Sequence, residues 1–110
     1  MGPLVKGDVV VIPFPFSDLS ATKRRPALVV AALSSDDVIL CQITSRATGH
    51  GNAIPITAAD FQTGSLHQDS NVRPDRLFTA DGGLILYRAG RLSATRVQDV
   101  VSRIVQLITA

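Results

Sequence analysis

Short apolar, β-branched runs separated by polar segments occupy the first eighty-eight residues, a pattern typical of buried strands. The pattern predicts strands over residues 8–16, 26–32, 38–44, 53–57, 70–81 and 84–88. Residues 58–69 show no clear period and are predicted to be irregular. Pro13 and Pro15 lack amide hydrogens, so the second half of the first strand is expected at an edge or a bulge. Pro74 is expected to interrupt the fifth strand.

The spacing of apolar residues along the sequence changes near the end of the chain. Apolar residues then recur three and four positions apart, which predicts an amphipathic helix containing Val97, Val100, Val101, Ile104, Leu107 and Ile108. Ser93 is a suitable N-cap for this helix because its hydroxyl can accept from free backbone amides. Polar residues 34–37 predict a hairpin between the second and third strands. The order of elements favours a strongly bent antiparallel sheet or partly open barrel with one helix packed on it.

The composition is that of one folded domain, residues 1–110. Apolar residues make up 45% of the chain and charged residues 18%, which excludes a disordered segment. No apolar run is long enough to cross a membrane, and the start shows no secretory signal pattern. We therefore expect a cytoplasmic protein that does not act at a membrane.

The charged residues are unusual in kind rather than in number. The net charge is only +2, but nine of the eleven basic residues are Arg and all nine acidic residues are Asp. Arg binds phosphate with two parallel hydrogen bonds, although a genome-wide bias would produce the same composition. The placement of the arginines must therefore carry any argument for nucleic-acid binding.

Motifs for cofactors and metals are absent from the sequence. It contains no phosphate-binding loop, no dinucleotide fingerprint and no Gly-x-Ser-x-Gly, and Cys41 is its single cysteine. No metal site and no cofactor are expected. His50 and His67 lie in polar loops, and nothing in the sequence places them together for acid–base work. Both are interpreted as ordinary loop residues.

Three polar clusters remain as candidate chemistry. They are the basic run Lys23, Arg24 and Arg25, the strand end Thr44, Ser45 and Arg46, and the segment with Ser70, Arg73, Asp75 and Arg76. In an extended segment Arg73 and Asp75 share one face, while Ser70 and Arg76 lie on the other unless Pro74 breaks the pleat. A solvated loop, a polar strand end and a surface ion pair are the ordinary structural interpretations of these clusters.

Taken in order, these clusters resemble the MazF/PemK toxins, or mRNA interferases, over about residues 6–108. The matching pieces are Lys-Gly-Asp-Val at 6–9, Phe-Pro-Phe-Ser-Asp at 14–18, Lys-Arg-Arg-Pro-Ala-Leu-Val-Val at 23–30, Gln-Ile-Thr-Ser at 42–45, Asp-Ser-Asn-Val-Arg-Pro-Asp-Arg-Leu at 69–77 with Thr79 and Asp81, and Gly-Arg-Leu-Ser at 90–93. Two differences stand out. Arg76 follows Asp75 where the family often has glutamine, and residues 17–22 lack the histidine that the PemK branch carries in this loop.

The resemblance implies a mainly β protein, an SH3-like or CcdB-like antiparallel barrel with a C-terminal helix, that forms a homodimer. It implies metal-independent cleavage of single-stranded RNA through attack of the 2'-hydroxyl, leaving a 2',3'-cyclic phosphate and a 5'-hydroxyl. A cognate antitoxin is the implied partner, and DNA is involved only indirectly through that antitoxin.

The resemblance also assigns roles to residues. Arg25, Thr44, Arg73 and Asp75 are the implied catalytic residues. In the PemK branch the arginine and the aspartate at these positions, here Arg73 and Asp75, do the acid–base work. Chemically, Asp75 suits the base, whereas an arginine acts as an acid only in an unusual environment because its ordinary pKa is very high. The implied RNA-binding residues are Lys23, Arg24, Ser45, Arg46, Ser70 and Arg76.

Other functions stay open at this point. One is a non-catalytic protein of the same fold, either a CcdB-like gyrase poison or an inactive homologue, but the helix ends in Leu-Ile-Thr-Ala110 without an aromatic residue. Another is a generic SH3-like binding module. Such modules use aromatic-lined grooves, and this chain has four Phe, one Tyr and no Trp.

Overall fold

The computed structural model describes residues 2–14, 23–45 and 51–110. In chain order it contains β1 (Asp8–Phe14), β2 (Lys23–Ala32), β3 (Asp37–Thr44), β4 (Ile54–Ile56), a 3₁₀ turn (Ala58–Asp60), β5 (Phe61–Gly64), β6 (Ser70–Asp81), a second 3₁₀ turn (Gly82–Leu84), β7 (Tyr87–Leu92) and α1 (Ala94–Thr109). Across these described ranges, no helix is long and apolar enough to span a bilayer.

All seven strands belong to one antiparallel sheet in the order β4-β6-β3-β2-β1-β7-β5. The sheet curls into a half-barrel, which confirms the predicted bent antiparallel sheet with one helix. The strands β2 and β3 pair from Ala27↔Gln42 to Ala32↔Val38, which confirms the predicted hairpin. Pro13 pairs with β2, while the pairing of β1 with β7 ends at Val11. The proline therefore lies beyond the β7 ladder, as its missing amide hydrogen requires.

Two apolar clusters form the core, one on each face of the sheet. Neighbouring residues of a strand point to opposite faces of the sheet, so successive apolar residues of one strand belong to different clusters. One cluster includes Val9, Leu28, Ile43, Val72 and the α1 residues Val97 and Val100; the other includes Val10, Ile12, Ala27, Val29 and Leu40. The strand β1 is thus covered on both faces by its own chain.

The C-terminal helix packs one face against the sheet. The Ser93 hydroxyl accepts a hydrogen bond from the Arg96 amide at 3.3 Å, which confirms the predicted N-cap. Val97 and Val100 are buried in the core. Further along, the Val105 and Ile108 side chains remain 49% and 71% exposed. The end of the helix therefore carries apolar surface that this chain does not cover.

The second and the last strands begin at different residues from those predicted. The strand β2 begins at Lys23 rather than residue 26, because Arg24 and Lys23 pair with Pro13 and Phe14 of β1. Backbone pairing thus extends the strand through residues whose polarity suggested a loop. The last strand begins at Tyr87 rather than residue 84. A 3₁₀ turn precedes this strand. The Asp81 carboxylate stabilises the turn by accepting a hydrogen bond from the Gly83 amide at 2.8 Å.

The segment predicted to be irregular contains the edge strand β5. This strand pairs with β7, and a Cβ at Gly90 would collide with the Thr63 carbonyl oxygen. Gly64 adopts a φ of +65°, which favours glycine. The approach of β5 to β7 therefore depends on glycines on both strands, a long-range requirement that local hydrophobic periodicity does not reveal.

A candidate anion-binding active site

A cavity of about 440 Å³ lies where β2 begins and β3 ends. Six residues predicted for the site line it, namely Lys23, Arg24, Arg25, Thr44, Ser45 and Ser70. We call it the cationic cavity. No Asp is found among its described lining residues, so three permanent cations and several hydroxyls surround a space without a balancing carboxylate. Such a surface binds anions, and Arg and Lys together suit phosphate.

The strand register explains why distant residues approach this site. Arg25 lies opposite Ile12, Gln42 lies opposite both Ala27 and Arg73, and Thr44 lies opposite Asn71. Residues opposite each other, or two apart on one strand, share a face of the sheet. Arg25, Thr44 and Arg73 therefore lie on one face of three consecutive strands, β2, β3 and β6.

A bulge in β6 shapes the neighbouring part of this face. Arg73 pairs with Gln42 and Leu77 with Cys41, so three residues, Pro74, Asp75 and Arg76, have no counterpart on β3. We call these three residues the β6 bulge. Because Pro74 cannot donate a backbone hydrogen bond, it suits a position where the ladder breaks, as predicted.

Arg73 and Asp75 form a two-point ion pair across this bulge. Arg73 Nε donates to Asp75 Oδ1 at 3.0 Å and Nη2 donates to Oδ2 at 2.8 Å, which confirms that the two side chains meet. The Arg73 side chain is 7% exposed and that of Asp75 30%. The hydrogen bonds from Arg73 to Asp75 raise the pKa of Arg73 above its ordinary value. Arg73 is therefore fully charged and holds its proton more tightly than a free arginine.

Arg76 is held across the sheet rather than left in solution. Its Nη1 donates to Oε1 of the buried Gln42 at 3.2 Å. The pleat break at Pro74 thus directs Arg76 toward β3. Arg73, Asp75 and Arg76 do not line the cationic cavity, although they are close to it in the sheet register.

The remaining predicted residues have different surroundings. Ser70 is buried, and its hydroxyl donates to the Gln68 carbonyl at 3.0 Å, so it fixes the turn that enters β6. Ser45 is exposed immediately after β3. Arg46 lies outside the described residues, as does His50.

Among the cavity residues that were not predicted for the site, two have polar aromatic side chains. His67 and Tyr87 both line the cationic cavity, from the turn before β6 and from the start of β7. The sequence interpretation of His67 as an ordinary loop residue missed this location. The local sequence carries no signal for it, because the approach of this turn to β2 and β3 depends on the sheet order.

The residues that the structure describes form neither a metal-binding group nor a reactive thiol. Within residues 2–14, 23–45 and 51–110, no three His, Cys, Asp or Glu side chains gather as a metal-binding group. Burial raises the pKa of the Cys41 thiol to about 12, and the charge of Asp75 adds to this effect. Cys41 is therefore a protonated core residue, since only a thiolate is a good nucleophile or metal ligand.

The curled antiparallel sheet with one C-terminal helix places the chain among small half-barrel β proteins, with the cationic cavity at its strand ends. More specifically, the chain belongs to the family of PemK-like, MazF-like toxins of type II toxin–antitoxin systems, whose family model matches residues 5–108. No curated protein sequence is similar enough to this chain to count as a relative.

Solved structures agree with the fold. MazF from Deinococcus radiodurans is 21% identical, with a TM-score of 0.79 and 100% of both chains covered. An endoribonuclease from a mycobacterial species, solved with its cognate antitoxin, is 14% identical, with a TM-score of 0.76 and 97% and 96% of the two chains covered. The Mycobacterium tuberculosis toxin MazF-mt6 is 19% identical, with a TM-score of 0.73 and 93% and 96% covered. At these identities the likeness shows the shared fold.

Proposed function

We propose that this chain is an endoribonuclease toxin that cleaves single-stranded RNA at short sequences. The observation that carries the proposal is the cationic cavity, in which Lys23, Arg24 and Arg25 lie with the hydroxyl residues Thr44 and Ser45. Family membership supports the same function, since a mycobacterial neighbour of the same fold is an endoribonuclease. RNA presents the phosphate that these groups suit and the 2'-hydroxyl that can attack it.

The proposed reaction is an internal transfer at one phosphate. The 2'-oxygen forms a bond to phosphorus and its proton passes to a base, while the bond from phosphorus to the 5'-oxygen breaks and that oxygen takes up a proton. The products are a 2',3'-cyclic phosphate and a 5'-hydroxyl. Charge on the pentavalent intermediate must be stabilised by donors already in place.

The residues divide these tasks by position. Arg25 stabilises the phosphorane through its two-pronged guanidinium, and Thr44 donates to a phosphoryl oxygen. Asp75 is the base, because a carboxylate can take up a proton and the two-point pair with Arg73 fixes its position. Arg73 holds Asp75 in place. Lys23, Arg24, Ser45, Arg46, Ser70 and Arg76 are proposed to bind the RNA on either side.

The proposal needs no metal step, because arginines and hydroxyls supply the charge stabilisation. The test is incubation of the purified protein with a long RNA in the presence of EDTA, followed by analysis of the new ends. We expect cleavage with 2',3'-cyclic phosphate and 5'-hydroxyl ends. Activity abolished by EDTA and restored by Mg²⁺ would contradict the metal-independent mechanism, and intact RNA in both conditions would contradict the nuclease. A gyrase poison would instead inhibit DNA supercoiling in a parallel assay.

We also propose a cytoplasmic homodimer that a cognate antitoxin neutralises. The exposed Val105 and Ile108 at the end of α1 support an apolar interface between copies. The cationic cavity suits an acidic, disordered antitoxin segment. Light scattering at micromolar concentration is expected to give the mass of a two-fold dimer, and a monomer mass would contradict this part of the proposal.

A further inference from the structure

The proposed cleavage requires a proton donor that the predicted catalytic residues do not supply. The leaving 5'-oxygen of RNA is a poor leaving group unless it is protonated as the bond to phosphorus breaks. Arg and Lys are side chains of types that are poor proton donors near neutral pH. Arg73 is still less suitable, since its pKa is raised by the pair with Asp75. The proton must therefore come from another group near the phosphate.

His67 lies in the same cavity as the residues proposed to hold the phosphate. It lines the cationic cavity together with Arg25 and Thr44, the two residues proposed to hold the phosphate. Among the described lining residues it is the one side chain of a type that gains and loses a proton near neutral pH. The other charged groups lining the cavity are Lys23, Arg24 and Arg25, none of which is of that type.

The local structure keeps His67 both positioned and available. The Ser70 hydroxyl holds the Gln68 carbonyl at 3.0 Å, and Ser70 itself pairs with Ile56 of β4. This anchors the turn that follows His67 to the sheet. In the part of the chain that the structure describes, the imidazole takes part in no hydrogen bond or ion pair, and the residue is exposed. His67 therefore does not stabilise the fold through hydrogen bonds of its side chain, and such a role does not explain its place in the cavity.

We propose that His67 is the general acid of the cleavage reaction. The imidazolium gives its proton to the leaving 5'-oxygen as the P–O5' bond breaks, while the 2'-oxygen bonds to phosphorus and passes its proton to Asp75. His67 ends neutral and Asp75 ends protonated, so charge and protons balance over the step. The proposal rests on the proposed nuclease function and adds one catalytic residue to it.

The test uses a substrate that does not need the acid. An RNA containing a site that the wild-type protein cleaves is prepared with the natural 5'-oxygen or with sulfur at that position. A thiolate leaves without protonation, so loss of a general acid slows only the oxygen substrate. Single-turnover rates at saturating RNA are measured for the wild type, His67→Asn and His67→Ala. The matched control is Ser65→Ala, an exposed change in the same segment outside the cavity lining.

We expect both His67 variants to cleave the oxygen substrate ~10²-fold or more slowly, the usual size of a general-acid contribution. On the sulfur substrate they should match the wild type within about threefold, because no proton is needed there. The Ser65→Ala variant should match the wild type on both substrates. Wild-type cleavage of both RNAs establishes the nuclease independently of His67, and its absence would overturn the proposed function itself.

Two results would overturn the assignment to His67 while leaving the nuclease intact. Equal slowing on the oxygen and sulfur substrates would mean that His67 only binds or orients RNA. An unchanged rate on the oxygen substrate would mean that His67 takes no part in the chemistry. Thermal unfolding of each variant shows that the fold is retained, which the exposure of His67 leads us to expect.

Discussion

The cationic cavity and the β6 bulge lie on neighbouring strands, but their charges are balanced in opposite ways. In the cavity, Lys23, Arg24 and Arg25 gather without a carboxylate among the described lining residues. Beside the bulge, the buried Arg73 donates two hydrogen bonds to Asp75 of the bulge, which neutralises its charge. The first arrangement lines a cavity with positive charge. The second satisfies a buried charge within the chain itself.

This contrast separates two effects of substitution. The cavity cations line an open space at the end of the sheet, so removing one should affect activity more than stability. Removing Asp75 leaves Arg73 buried without its carboxylate, and breaking a buried pair from one side is costly. The bulge therefore couples the proposed catalytic base to the stability of the sheet, whereas the cavity wall does not.

The largest expected effect is that of Arg25→Ala on cleavage. The rate at saturating RNA should fall by ~10²–10³-fold, the scale of losing one transition-state donor. Arg25→Lys should restore little, because an ammonium cannot reproduce the two-pronged guanidinium. Single-turnover cleavage measures the change, and urea unfolding serves as the control. If binding weakens in a salt-dependent way and the saturated rate is unchanged, Arg25 is only a groove cation.

The next effect concerns the stability of the bulge. Asp75→Ala should lower the free energy of unfolding by about 2–3 kcal/mol, somewhat less than for a fully buried pair because Asp75 is partly exposed. The double variant Arg73→Met with Asp75→Ala should recover part of this loss, since no buried charge is then left alone. Urea denaturation of both variants tests this. Equal losses in the single and double variants would show that the pair contributes nothing specific.

A smaller loss of stability is expected from removing the hydrogen bond between Gln42 and Arg76. Gln42→Leu should cost about 1 kcal/mol, the usual value of one hydrogen bond, since the buried position tolerates an apolar side chain. Arg76→Gln is the matched variant at the other end of the bond. The two changes should be non-additive in a double-mutant cycle. Strict additivity would mean that Gln42 and Arg76 do not interact in solution.

The smallest expected effect is a change in the rate at which a reagent labels the Cys41 thiol. Because burial raises the pKa of Cys41 to about 12, the thiol stays protonated at neutral pH and the native protein should not react with a disulfide reagent within hours. Leu77 lies opposite Cys41, at the end of the β6 bulge. Asp75→Ala should therefore expose the thiol more often and accelerate labelling, while Arg25→Ala should not. Rapid labelling of the wild type would contradict this account of the core.

Local patterns in the sequence determined much of the architecture. Periodicity located β1, the β2–β3 hairpin and α1, and Ser93 was recognisable as an N-cap because capping depends on neighbouring residues. The pairing of Arg73 with Asp75 followed from their spacing of two in an extended segment. The apolar positions of α1 were predicted as one face, although Val105 and Ile108 lie beyond what the sheet covers.

Tertiary structure decided what depends on pairing between distant segments. Lys23 and Arg24 are polar enough for a loop, but β1 supplies them with partners, and β5 forms only because β7 accepts it. The position of His67 in the cationic cavity was likewise invisible in the chain. The physical reason is the same in each case. A backbone amide is satisfied by whichever strand the fold brings beside it, and the local sequence does not encode that neighbour.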